Sequence, residues 1–83
     1  LGGALIQLGA YLSQEDAMRM WEVLARRNPD LLGPRTPTVS PLQGANRVLH
    51  RLRAGPFGSV EEARAFCAAL QARNEDCLVS GPN

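Results

Sequence analysis

Lysine is missing from this chain: all nine basic side chains are arginine. Set against eight acids they leave a net charge of +1. That is too little to raise a field that would draw in DNA or an anionic membrane, so any charge-driven binding has to come from a local cluster. A GC-rich coding bias accounts for an arginine-only set, yet each guanidinium also offers a planar fork that suits carboxylates. Histidine occurs once, as His50, and cysteine twice, as Cys67 and Cys77. Their spacing is neither CxxC nor another familiar metal pattern, and His50 is not placed to complete one, so no metal or other cofactor is expected. The residues leave two readings of the cysteines open: two reduced core thiols, or one disulfide. A bridge would close a loop of about ten residues and stabilise the fold by roughly 2–3 kcal/mol. No apolar run approaches the ~18 residues of a membrane span, and no basic stretch leading into an apolar one marks a secretory signal. A start at Leu1 points to a piece of a longer protein.

Catalytic constellations are absent as well. There is no Ser-His-Asp set, no phosphate-binding glycine-rich loop and no His/Cys cluster, so no enzyme is expected. Glu15, Asp16, Glu61 and Glu62 are explained by positions in the first turns of two helices, where acids oppose the helix dipole. His50 falls on the inward parity of a strand and reads as a packing residue. Trp21, Met18 and Met20 likewise read as packing side chains.

What is present is a repeat. The stretch from Ile6 to Leu32 returns 46 positions later as Leu52 to Leu78. Gly9 falls on Gly55, Tyr11 on Phe57, Ser13 on Ser59, Ala17 on Ala63, Leu24 on Leu70, Arg27 on Arg73, Asn28 on Asn74 and Asp30 on Asp76. A repeat constrains architecture before any single residue is interpreted. Each copy reads as a short apolar strand, a Gly-X-aromatic turn, a helix and a second strand.

Eighty-three residues make one domain, and a chain this short buries only roughly 60–65% of its unfolded surface. Residues 1–3 read as a linker remnant and 4–81 as the domain. The first strand is expected over 4–10, with Ile6 and Leu8 on one face and Gln7 and Gly9 on the other. Ser13 is a candidate N-cap with Asp16 three residues on. A helix over 14–27 carries the stripe Ala17, Met20, Trp21, Leu24, and Asn28, able to take the left-handed conformation, ends it before Pro29. Pro34, Pro37 and Pro41 restrict the next strand, expected over 36–40, to a sheet edge. Gln43 to Asn46 form a hairpin turn. The third strand, 47–54, puts Val48, His50, Leu52 and Ala54 on one face and Leu49, Arg51 and Arg53 on the other. Ser59 caps a second helix with Glu62 as capping-box partner; Ala63, Phe66, Cys67 and Leu70 form its stripe, and Asn74 ends it. A short strand over 77–80 closes the chain.

The order β-α-β-β-α-β with right-handed crossovers predicts an α+β fold. It is a ferredoxin-like, RNP-like sandwich, a four-stranded antiparallel sheet with two helices on one face. The first and third strands are central and the other two are edges. The helix-free face then presents Gln7, Arg51 and Arg53 together. A solvated polar face explains such a set, and so does a site for an elongated ligand bearing carboxylates. RNA binding is disfavoured because Gln7 and Arg53 stand where base-stacking aromatics would be needed.

The motifs Ile6-Gln7-Leu8-Gly9-Ala10-Tyr11 and His50 to Phe57, the latter followed by a capped alanine-rich helix, resemble the SPOR domain family over about positions 4 to 80. The resemblance implies a non-catalytic, peptidoglycan-binding module of the bacterial periplasm or cell envelope, with no cofactor. Such modules prefer glycan strands denuded of stem peptides and target their host proteins to the division septum. The family's strand-one Gln lands on Gln7 and its strand-three Arg on Arg51. Arg53, Tyr11, Ser13, Leu49 and Phe57 are further candidates for glycan contact. The resemblance also implies a disulfide between Cys67 and Cys77. The alternative function is a protein–protein interaction module of an envelope or division protein, with division or cell-wall proteins as partners. Neither nucleic acid nor direct membrane contact is expected of this segment.

Overall fold

Strand and helix alternate as the repeat predicts. The structure, a computed structural model, describes residues 3–81; of the expected linker remnant, Leu1 and Gly2 lie outside the described residues. The elements are β1 (Ala4–Tyr11), α1 (Gln14–Arg27), β2 (Pro37–Gln43), β3 (Val48–Phe57), α2 (Val60–Gln71) and β4 (Leu78–Ser80). They form one antiparallel sheet in the order β2-β3-β1-β4, so the first and third strands are central as expected.

Alternation along β1 and β3 sends Ala4, Ile6, Leu8, Leu52 and Ala54 into the core. There they meet Ala17, Trp21 and Leu24 of α1 and Ala63, Cys67 and Leu70 of α2. Both helices start as the sequence predicts. Ser13 Oγ accepts from the Asp16 N–H at 3.0 Å and Ser59 Oγ from the Glu62 N–H at 3.1 Å, each satisfying an otherwise orphaned donor. The capping box of α2 is displaced by one residue, because Glu62 Oε2 accepts from the Gly58 N–H at 3.3 Å. Cys67 and Cys77 are joined in a disulfide across ten residues, which ties the start of β4 to the inner face of α2.

The second strand is longer than expected and later, running to Gln43. Pro37 and Pro41 both lie in it. Four residues apart, they share the parity whose N–H would face away from β3, so an edge strand accommodates both. The Gly44 N–H closes the hairpin on the Arg47 carbonyl at 2.7 Å.

Two differences from the sequence reading matter. Asn74 does take the left-handed conformation (φ 65), but Asn28, its repeat partner, does not, at φ −131 and ψ 60. Asn28 is 1% exposed and caps with its side chain. Its Nδ2 donates to the Leu24 carbonyl at 3.0 Å and to Glu75 Oε2 at 2.9 Å, and its Oδ1 accepts from Arg73 Nη1 at 3.2 Å. The repeat also changes register. Gln7 and Arg53 are 46 positions apart, whereas their edge-strand partners Leu78 and Thr38 are only 40 apart. Counted between equivalent positions, the path from Arg27 to Thr38 is therefore six residues longer than that from Arg73 to Leu78. Leu32 belongs to that extra length and is fully buried, while Leu78, its partner by sequence, is 66% exposed.

Candidate functional site

Directly opposed residues of antiparallel strands share a face, and this builds the helix-free side of the sheet. Thr38, Arg53, Gln7 and Leu78 form one row across all four strands. Ser40, Arg51 and Ala10 form the next, and Leu42 pairs with Leu49 beyond it. Gln7, Arg51 and Arg53 are thus brought together at the centre of the sheet.

The two guanidinium groups differ in depth. Arg51 is half-buried and donates from Nη2 to Ser40 Oγ at 3.0 Å. Arg53 is only 4% exposed; its Nη1 donates to Ser80 Oγ and to the Gly81 carbonyl, both at 3.3 Å. The Nε of each is buried with no hydrogen-bond partner among the described residues. The ion pairs of the described residues, Arg19–Asp16, Arg27–Glu75 and Arg73–Asp30, engage other arginines. Burial, and after it the positive charge of Arg51, hold the Arg53 pKa below its ordinary value. Both effects oppose the charged form, although an arginine stays charged regardless. An anion on this face would relieve that cost. Carboxylates fit the guanidinium fork best, with two parallel N–H···O bonds. Arg51 is the group a ligand can reach, and Arg53 supplies charge from beneath.

A groove of about 430 Å³ lies beside β1 at the start of β4, lined by Gln7, Gly9, Gln71, Glu75, Asp76 and Leu78. Gln7 therefore belongs both to the arginine face and to this groove. Thr38, Ser40 and Ser80 complete the polar surface. Sequence reasoning did not single them out, although the parity of Pro37 and Pro41 puts Thr38 and Ser40 together on one face.

Of the remaining candidates, Tyr11, Ser13 and Phe57 lie elsewhere. The β-bulge between Gln7 and Gly9 sets two residues of β1 against one of β3. Ala10 consequently opposes Arg51, and Tyr11 opposes His50, with its ring packed against the core. The ring folds back over Gly9, where a Cβ would sit 2.5 Å from the tyrosine oxygen. Burial, and secondarily the charge of Asp76, raise the Tyr11 pKa. Ser13 is occupied as the N-cap of α1. Leu49 stays on the arginine face, paired with Leu42. Phe57 is 3% exposed and packs against Phe66 at 4.9 Å between ring centroids, so it does not join the face. The guanidinium of Arg35 covers this pair at 4.3 Å from the Phe57 centroid and 5.0 Å from that of Phe66.

Comparison with known proteins agrees with this fold. The family model described as SPOR domain matches residues 1–80. The chain is 31% identical over 76 residues to the cell division protein FtsN of Caulobacter vibrioides; the match takes in 92% of this chain and 29% of that protein's length. It also resembles the crystal structure of the RlpA SPOR domain from Pseudomonas aeruginosa, with a TM-score of 0.67 and 25% identity, covering 96% of this chain and all of that one.

Proposed function

Since the chain belongs to the SPOR domain family, we propose that residues 4–81 form a non-catalytic peptidoglycan-binding module that reads denuded glycan strands through the arginine face. The observation that carries this is the pair Arg51 and Arg53, two cations side by side with no carboxylate partner among the described residues. A glycan strand stripped of its stem peptides exposes a lactyl carboxylate on every second sugar, and Arg51 can take it as a bidentate acceptor. The Gln7 amide, with one donor group and one acceptor, suits the acetamido and hydroxyl groups between those carboxylates. The groove beside Asp76 gives an extended ligand room to run on.

An envelope location at the division septum follows from this reading, since amidases there generate such strands. The similarity to a cell division protein supports it. The glycan carries the host protein to the septum, and the module does no chemistry of its own.

Co-sedimentation with peptidoglycan sacculi tests the proposal. Pelleting should rise after amidase treatment of the sacculi and fall in an Arg51→Ala, Gln7→Ala double variant. A wild-type chain that stays in the supernatant under every condition would remove the glycan reading.

A further inference from the structure

The repeat provides an internal comparison that exposes a second site, away from the arginine face. Tyr11 and Met20 are the counterparts of Phe57 and Phe66, 46 positions on. Their surroundings correspond too. Tyr11 opposes His50 and Phe57 opposes Ala4, and those partners are again 46 positions apart. Each aromatic ring lies near the glycine two residues before it, Gly9 or Gly55.

The two places differ in what covers them. Over Phe57 and Phe66 lies the guanidinium of Arg35, held in the connection that follows α1. The connection after α2 is shorter and supplies no equivalent side chain. What remains beside Tyr11 is an open groove of about 470 Å³, floored by Tyr11, Met20 and Val23 and flanked by Leu12 and Leu49. Leu12 is 61% exposed at its lip.

We propose that this groove is a docking site for an arginine side chain of a partner protein, presented on an extended segment with apolar neighbours. The incoming guanidinium faces the Tyr11 ring as that of Arg35 faces its own pair, with the stem beside Met20. Cations are drawn to aromatic faces, and aliphatic stems cover apolar surface while the head stays polar. Asp16 and Arg19 both line the groove, and the negative field of Asp76 reaches the Tyr11 hydroxyl. Asp16 is engaged only by Arg19, in an exposed i,i+3 pair of the kind that contributes little, so it is available to a second guanidinium. The apolar neighbours of the arginine would rest on Leu12 and Leu49.

The test is a titration of the full 83-residue chain, labelled for NMR, with the peptide N-acetyl-Leu-Arg-Leu-amide and its citrulline counterpart. Shifts are expected at Tyr11, Met20 and Leu12, saturating in the low-millimolar range, with citrulline weaker by about three- to tenfold. Tyr11→Phe should keep binding, since the ring remains, and Tyr11→Leu should lose it. Asp16→Asn, on the solvent side of α1, should weaken the arginine peptide and leave the citrulline peptide unchanged; it reports on the site even where a Tyr11 variant fails to fold. Equal binding of both peptides, or the lack of any saturable shift at these residues, overturns the proposal. So does a denuded glycan oligosaccharide that shifts the same three residues, which would assign the groove to the glycan site instead. Loss of glycan binding in an Arg51 variant with the peptide titration unchanged would separate this site from the sheet face.

Discussion

Asn28 and Asn74 are equivalent in the repeat, and the structure predicts opposite responses when each is replaced by glycine. At Asn74 the backbone is left-handed and the side chain is exposed, so glycine loses some chain entropy and gains steric freedom, leaving stability within about 0.5 kcal/mol of wild type. At Asn28 the substitution removes three side-chain hydrogen bonds from a buried position. Their partners limit the damage. The Leu24 carbonyl still accepts from the backbone N–H of residue 28, at 2.9 Å. Glu75 keeps both its bonds from Arg27, and Arg73 keeps its two to Asp30. No charge is left buried and alone, so the loss reflects the bonds themselves and a small cavity, about 2–3 kcal/mol. For a domain of this size that lowers the Tm by roughly 10–20 °C. Urea unfolding of both variants, with the disulfide intact and a common m-value, measures the difference directly. Equal losses at the two positions would refute the assignment of Asn28 as a side-chain cap and return both residues to the same backbone role.

Three further outcomes are expected. Acid should destabilise the chain through the same cluster. The Arg73 guanidinium holds the Asp30 pKa down to about 2 from an ordinary 3.8, and Arg27, then Asn28, lower that of Glu75. Between the folded and unfolded pKa values the unfolded state binds more protons, so stability rises with pH there. It is complete above the unfolded values and lost as pH falls toward 2, and Asp30→Asn should flatten that limb of a pH-dependent melting series. Replacing both cysteines by alanine should cost about 2.5 kcal/mol from the ten-residue loop, seen as a lower urea midpoint that reductant no longer changes. Arg35→Ala should cost about 1–2 kcal/mol by uncovering two rings. It should also open a second groove, so that the arginine peptide now shifts Phe66 as well as Tyr11.

Most of the fold was legible because local signals and the repeat agreed. Ser13 and Ser59 cap where the S-x-x-D and S-x-x-E spacings put them, and three residues of each helix stripe are buried, with Met20 and Phe66 partly so. The Gln7–Arg53 pairing followed from the repeat, since equivalent residues on two central strands of a pseudo-symmetric sheet fall opposite one another. The connection after α1 was not legible in the same way. Leu32 aligns with Leu78 in the sequence, and only the strand pairing reveals that one is core and the other surface. Six residues inserted between matching segments leave no mark when apolar residues happen to stay in step.

The faces of β1 were legible up to the bulge at Leu8 and not beyond it. Strict alternation carried past Gly9 would put Tyr11 with Gln7, beside the arginines. One extra residue in β1 reverses the parity. Ala10 takes the place opposite Arg51 and Tyr11 is turned toward the core edge. The consequence for function is twofold. The arginine face keeps a small residue at its centre, which leaves the Arg51 guanidinium open to a bulky ligand. The aromatic ring that parity would have spent on that face instead floors a separate groove near the start of α1. Deleting the bulge residue, Leu8, would test the link between the two. If the fold survives, Tyr11 should move into the Arg51 row, glycan pelleting should fall by steric cover of the guanidinium, and the groove should lose its floor. A deletion variant that folds and keeps both properties would show that the bulge does not set the division of surfaces.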